Sequence, residues 1–377
     1  MPQAFKGCLK ALDAATAMAG SVRSVFPAAD VRVLPMADGG DDTLDVLMAL
    51  GGRTFTATVK GPIGLPVEAQ WGVLPDGETA VIEMAQASGL RLLTAGQRDP
   101  RVTTTFGTGQ LIKAALDQGL RKIVIGVGGS ATVDGGIGAI TALGGRFLDA
   151  SGTQLPAGGS GLTHLANIDV SRLDPRAREA SILVACDVNM ALSGSRGAWR
   201  FAAQKGASEQ VCLQLEVALE HFGKVVARET GVDLRSMPLA GPAGGLSGGL
   251  HAFLGARLQP GAELVLAATG WGHYLAQADL ILTGEGMIDT NTFQGKGPGT
   301  IAHLAQETGV PVIAVCGQMA ADAPDVRKHG IVAERTLMSY VETEGEACAR
   351  ASELIVRATS DALEHWRSTL EHRGEIG

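Results

Sequence analysis

The chain has 377 residues, room for about two or three domains, and it is 45% hydrophobic but only 4% aromatic, so any core must be built from Ala, Val, Leu and Ile. A formal net charge of -8 leaves no basic stripe of the kind nucleic-acid binding needs, and no apolar run reaches the roughly 18 residues of a membrane span. No signal-peptide pattern opens the chain, so cytoplasm is the expected location and neither membrane nor nucleic acid is an expected partner. Five cysteines (Cys8, Cys186, Cys212, Cys316 and Cys348) stand singly, a spacing that argues against a disulfide framework and against a zinc module.

In chain order, Met1-Pro2-Gln3-Ala4-Phe5-Lys6-Gly7 reads as a loop with no strand feeding it. Short apolar runs then predict strands at Val31–Leu34, Ala80–Glu83, Lys122–Val127, Ile182–Cys186, Leu280–Thr283 and Val312–Cys316. Residues 54–80 alternate and carry Gly-Pro and Asp-Gly turns, which predicts antiparallel hairpins and the start of a different domain. Helical periodicity marks residues 107–118 and a last helix over 344–372. Strands alternating with helices predict an α/β protein with mostly parallel sheet.

Three glycine segments carry the candidate chemistry. Gly126 to Gly136 follows the strand Lys122–Val127, and there Gly128, Gly129, Ser130 and Thr132 offer backbone and hydroxyl donors for a phosphate. The same run fits a dinucleotide fingerprint through Gly126, Gly128 and Ala131, with Asp149 as the ribose acid, so an NAD-dependent oxidoreductase is a rival reading. In Thr283-Gly284-Glu285-Gly286 an apolar strand delivers Glu285, with Asp289 close behind, as candidate Mg²⁺ ligands, and Lys296 follows as a cation for phosphate. Asp38-Gly39-Gly40-Asp41-Asp42 is a third acidic glycine loop. Asp187 ends the strand Ile182–Cys186, while Lys6, Arg196 and Lys205 are cations for a substrate carboxylate or a transferring phosphoryl.

These runs, in this order, resemble the type I glycerate kinases over nearly the whole chain. The resemblance rests on Phe5-Lys6-Gly7, Pro35 to Gly40, Ala80 to Ala85, Ala87-Ser88-Gly89-Leu90, Thr103 to Gly109, Gly126 to Gly136, Ala185 to Val188, Gln204 to Ala207, Gly244-Gly245-Leu246, Thr283 to Gly286 and Gly295-Lys296. It implies a flavodoxin-like α/β domain, expected at 1–60 plus 270–377, with a second α/β domain inserted at 61–269. It further implies transfer of the ATP γ-phosphoryl group to a hydroxyl of glycerate, with 2-phosphoglycerate as product and Mg²⁺ as cofactor. Asp187 and Lys6 would then be catalytic. Gly128, Gly129, Ser130, Thr132 and Lys296 would hold the nucleotide, Asp38, Arg196 and Lys205 the acid, and Glu285 and Asp289 the metal. Oligomeric state is not readable from the sequence, and a homo-oligomer stays open. The departures are Gln3 and Ala4 for a usual Asp-Ser, the altered Asp41-Asp42 and Val133, and Asn189-Met190 after Asp187. They make a degenerate, non-catalytic nucleotide-binding member a further alternative.

Overall fold

A computed structural model describes residues 1–5, 7–195 and 197–373. In chain order the main helices are α1 (Ala11–Val25), α2 (Thr43–Met48), α3 (Phe106–Asp117), α4 (Glu209–Thr230), α5 (Leu246–Leu254), α6 (Gly297–Thr308), α7 (Glu344–Ala349) and α8 (Ala351–Arg373). The main strands are β1 (Arg53–Lys60), β2 (Pro66–Val73), β3 (Thr79–Glu83), β4 (Lys122–Gly126), β5 (Ser181–Cys186), β6 (Arg257–Pro260), β7 (Ile281–Thr283), β8 (Val312–Cys316) and β9 (Ile331–Thr336). The chain divides into two compact units, one of Met1–Ala37 with the segment from Val265 onward, the other Asp38–Leu264.

The Asp38–Leu264 unit, the insert, holds a six-stranded sheet in the order β1-β2-β3-β4-β5-β6. β1, β2 and β3 form an antiparallel meander, and β3 through β6 run parallel. The meander follows from alternation: β1 is mostly exposed and lies at the sheet edge, whereas β3 is buried along Ala80–Glu83. The β1–β2 pairing runs from Arg53 against Val73 to Lys60 against Pro66, so a domain boundary at 60/61 would cut one hairpin in two. The observed division lies earlier, between Ala37 and Asp38, and the return lies between Leu264 and Val265. Small and branched side chains fill the core, with Ile82, Leu111, Ile112, Ile125 and Val184 all buried. Burying each such Leu or Ile contributes roughly 1.5–3 kcal/mol.

The other unit carries a three-stranded parallel sheet in the order β9-β8-β7, with β8 buried at every residue. Ala14 and Met18 of α1 share a core cluster with Val315 and with Leu354, Ile355 and Ala358 of α8. The chain start takes a strand position here. Pro2 bridges Gly284 in parallel, Gln3 N–H donates to Gly284 O (2.8 Å), and the Met1 amine donates to Leu282 O. The expected loop-like opening is therefore an extended segment along the end of β7, and burial pushes the Met1 amine down to about 5.

Three further expectations change. Val31–Leu34 is irregular, because its alternating pattern finds no ladder partner there; the nearby Met36 N–H instead donates to Pro2 O (2.9 Å). The last helix is two, α7 and α8, broken at Arg350, whose side chain pairs with Glu346 and Glu353 on either side. Cys8 and Cys348, expected to be unpaired, form a disulfide with Cα atoms 4.8 Å apart; sequence spacing could not show it because the partners lie 340 residues apart. Among the described residues no helix is long and apolar enough to cross a membrane.

Candidate active site

The insert gathers most of the candidate residues at the carboxyl ends of β4 and β5. Adjacent parallel strands end there, and the chain leaves each through a polar turn. The loop Asp38–Gly40 lies against both ends. Gly39, at φ +92°, has its Cα so close to Ala185 that a Cβ would lie 2.3 Å from the carbonyl oxygen. A Cβ on Gly128 would lie 2.3 Å from Gly40 Cα and 3.1 Å from Asp187 Oδ2. Gly128 N–H donates to Gly39 O at 2.8 Å. Glycine is required at both positions because backbone meets backbone.

Lys205 is 6% exposed and donates to Ser130 Oγ (2.8 Å) and to Thr132 O (2.7 Å). Burial pushes its ammonium down to about 8, against the opposing pull of the Asp187 and Asp134 carboxylates. Asp134 is fully buried and accepts from Thr105 N (2.8 Å), Thr105 Oγ1 (2.9 Å), Gly136 N (3.0 Å) and Gly138 N (3.3 Å). Burial raises its pKa in spite of those bonds. Asp134 thereby ties the Thr103–Thr105 run to the glycine loop, and Thr103 Oγ1 adds a bond to Ala131 O (2.7 Å). Asp187 is half-buried at the end of β5.

Asp38, Gly128, Gly129, Ser130, Asp187 and Lys205 all belong to this constellation. Thr132 belongs to the loop's own bonding instead: it is buried and its hydroxyl donates to Ala243 O (3.4 Å). The Gly128 and Ala131 N–H groups are likewise spent, on Gly39 O and Ser88 O. A phosphate cradle here falls to the backbone of Gly129 and Ser130 and to the Ser130 hydroxyl. Lys6 and Arg196 lie outside the described residues.

The dinucleotide reading fails on geometry. Residues 127–136 separate β4 from the next helix, Ile137–Ala142, which is only six residues long. Asp149 follows the short strand Arg146–Leu148, which pairs antiparallel with Asn167–Asp169 in a separate sheet. The acid of a dinucleotide fold ends a strand parallel to the first. Asp149 is instead folded back on its own turn, accepting from Ser151 N and Thr153 N.

Glu285, Asp289 and Lys296 sit in the other unit, after β7. Glu285 is 6% exposed and accepts from Thr292 Oγ1 (2.7 Å). Asp289 caps the turn Thr290–Gln294 through Thr292 N (2.9 Å). Burial pushes the Asp289 carboxyl up, but Asn291, Lys296 and Thr292 together hold it below the ordinary aspartate value. Lys296 Nζ lies 3.5 Å from Asp289 Oδ1 and 4.0 Å from Glu285 Oε2. Among the described residues no group of three or more His, Cys, Asp or Glu side chains could hold a metal ion. Two carboxylates suit a Mg²⁺ that keeps its waters and arrives with phosphate oxygens.

The comparisons with known proteins add the family. The model of the glycerate kinase family matches residues 1–367. The chain belongs to the glycerate kinase family. It is 45% identical to the glycerate kinase of Bacillus subtilis over 362 residues, covering 96% of this chain and 95% of that protein. It is 43% identical to the glycerate 2-kinase of Escherichia coli over 360 residues, covering 95% of this chain and 94% of that one. The crystal structure of putative glycerate kinase 2 from Salmonella typhimurium LT2 has a TM-score of 0.81 at 40% identity, covering 100% of this chain and 98% of that one. As a family member, the chain keeps the α/β architecture with a mostly parallel central sheet.

Sequence reading passed over Asp134, and over Glu83, which closes β3 1% exposed with the Arg91 guanidinium 3.2 Å away. Glu83 had a signal, because an acid closing the apolar strand Ala80–Glu83 repeats the placement of Asp187 after β5. Asp134 had none, since a buried acid satisfied by backbone N–H groups looks in sequence like any loop aspartate.

Proposed function

We propose that the chain is an ATP-dependent glycerate kinase that forms 2-phosphoglycerate. One observation carries the reading: a buried ammonium, Lys205, bonded to Ser130 and beside Asp187 at the carboxyl ends of two parallel strands. Family membership supplies the substrate class. Phosphoryl transfer needs charge neutralisation and alignment more than covalent chemistry.

In this reading Asp187 accepts the proton of the acceptor hydroxyl as its oxygen attacks the γ-phosphorus, and the bond to the ADP oxygen breaks. Lys205, held by Ser130 Oγ and Thr132 O, offsets the charge of the acid or of the transferring phosphoryl group. Asp38, with Arg196, completes the grip on the acid, and Lys6 is a further catalytic cation. Gly129 and Ser130 face phosphate oxygens. Glu285 and Asp289 would hold Mg²⁺, with the Lys296 ammonium 3.5 Å from Asp289 and 4.0 Å from Glu285 adding charge beside them. When bound, the Mg²⁺ supplies charge neutralisation at the phosphates.

A coupled ADP-release assay with Mg-ATP and D-glycerate tests the reading, with ³¹P spectra assigning the product. ADP release that needs glycerate, with phosphate on the 2-hydroxyl, is expected. Stabilisation by Mg-ATP without turnover on any small hydroxy acid would leave a non-catalytic nucleotide binder.

A further inference from the structure

Glu83 is a charged residue that the steps above do not use, and it is 1% exposed at the end of β3, in register with Gly126 of β4. Its Oε2 accepts the Leu44 N–H (3.2 Å) in the first turn of α2. That helix has no side-chain cap of its own, and it starts from Asp42 in a left-handed conformation, φ +68°, which disfavours any residue with a Cβ. Glu83 thus supplies the first turn of α2 with an acceptor that the N-cap side chain does not. The entry to α2 is also the exit of Asp38–Asp42, the loop seated between the ends of β4 and β5. The second oxygen, Oε1, is buried without a hydrogen bond. Arg91 Nη2 lies 3.2 Å from it, off a hydrogen-bonding line, and Arg91 Nη1 lies 4.0 Å from Asp41 Oδ1. Arg91 thus spans from the buried acid to the loop, one residue after Leu90, whose N–H bonds to Gly129 O (2.9 Å).

We propose that Glu83 is a positioning residue for phosphoryl transfer, fixing the loop Asp38–Asp42 through Leu44 N–H on one oxygen and through Arg91 on the other. The inference rests on the kinase reading for its kinetic consequence, and on the geometry alone for its structural one.

The charge state supports it. The charged groups facing Glu83 are Arg91, Asp41 and Asp42; burial outweighs Arg91, and the carboxyl is raised to about 7. A carboxyl raised in the fold contributes stability that is fully present below its unfolded value and lost as pH rises through about 7. At pH 8 the ionised Glu83 is therefore a burden on the fold. A glutamine would accept the Leu44 N–H without that burden, so a merely structural acceptor has no need of charge. The charge serves the Arg91–Asp41 link.

The test compares wild type, Glu83→Gln and Glu83→Ala by three readouts: thermal stability at pH 8, the pH profile of KM for D-glycerate, and hydrogen exchange of residues 39–47. Glu83→Gln is expected to raise the melting temperature at pH 8, yet to raise KM about tenfold, the size of one charge-assisted contact. Wild-type KM should rise toward that value as pH falls through about 7. The variant should show no such limb. Glu83→Ala, which also loses the Leu44 acceptor, should exchange faster over 39–47, with Glu83→Gln close to wild type. A Glu83→Gln enzyme with wild-type KM and pH profile overturns the proposal, and so does unchanged exchange over 39–47 in Glu83→Ala. If wild type itself releases no ADP with any acid, the kinase reading fails. The exchange and stability results still decide the structural role.

Discussion

In the insert, three charged groups around half-buried Asp187 are buried and tied to backbone: Lys205 to Thr132 O, Asp134 to three N–H groups, Glu83 to Leu44 N–H. In the other unit, Lys296 is 26% exposed on its side chain and lies beside two carboxylates at 3.5 and 4.0 Å, without a close bond to either. The first arrangement fixes charge where water cannot relax it, so each group's proton affinity is moved by burial. In the second only the cation is partly open to water, since Glu285 is as buried as Lys205; two acids beside it suit a hydrated ion that comes and goes with its ligand. In the reading proposed above, proton and acceptor chemistry falls to the insert and metal retention to the loop after β7.

Asp187→Asn should sharpen that division most. It is expected to lower kcat by about 10²- to 10⁴-fold with an unchanged melting temperature, as for loss of a general base. Near-normal turnover by a folded variant would remove Asp187 from the chemistry. Lys205→Met should lower kcat/KM by about 10²- to 10³-fold, the range for losing one preorganised charge. The wild-type rate should also fall as pH rises through about 8, where Lys205 loses its proton. The stability sign is opposite. With the folded pKa below the unfolded one, the unfolded chain binds more protons above pH 8, so the contribution of this group to stability grows through that window. A rate limb near pH 8 that persists in Lys205→Met would assign the titration to another group.

Asp289→Asn should act more gently, raising the Mg²⁺ concentration for half-maximal rate about tenfold while sparing KM for glycerate. A change confined to glycerate would break the division between the units. Reduction of Cys8–Cys348 should leave the insert untouched. A stabilisation of roughly 2–4 kcal/mol is typical of a disulfide, so its loss should lower the melting of the other unit by about 5–10 °C. Calorimetry with and without reductant, using Cys348→Ser as control, checks this.

Much of the fold was legible because buried parallel strands write themselves as short apolar runs: Ala80–Glu83, Lys122–Val127, Ile182–Cys186, Leu280–Thr283 and Val312–Cys316 all fall on strands. Val31–Leu34 carries the same signal and fails, since a strand needs a neighbour that sequence does not supply. The glycine loops around Gly39 and Gly128 were legible as close approaches, though not which backbone they approach. Asp187 and Lys205 could be named from their runs, but their shared neighbourhood with Ser130 arises from β4 lying beside β5, a long-range fact. Thr132 shows the complementary limit. A hydroxyl in a phosphate-like loop reads as a donor to ligand until its acceptor, Ala243, is seen. The Cys8–Cys348 bond was invisible because chain ends meet only in the folded unit.

Hydrogen exchange mapped with each ligand alone tests the division between the units most directly. D-glycerate should protect residues 38–42 and 187–205, and Mg²⁺ with a non-hydrolysable ATP analogue should protect residues 128–132 and 284–297. Protection by glycerate confined to 284–297, with the insert loops unchanged, would contradict the assignment of the acceptor site to Asp187 and Lys205.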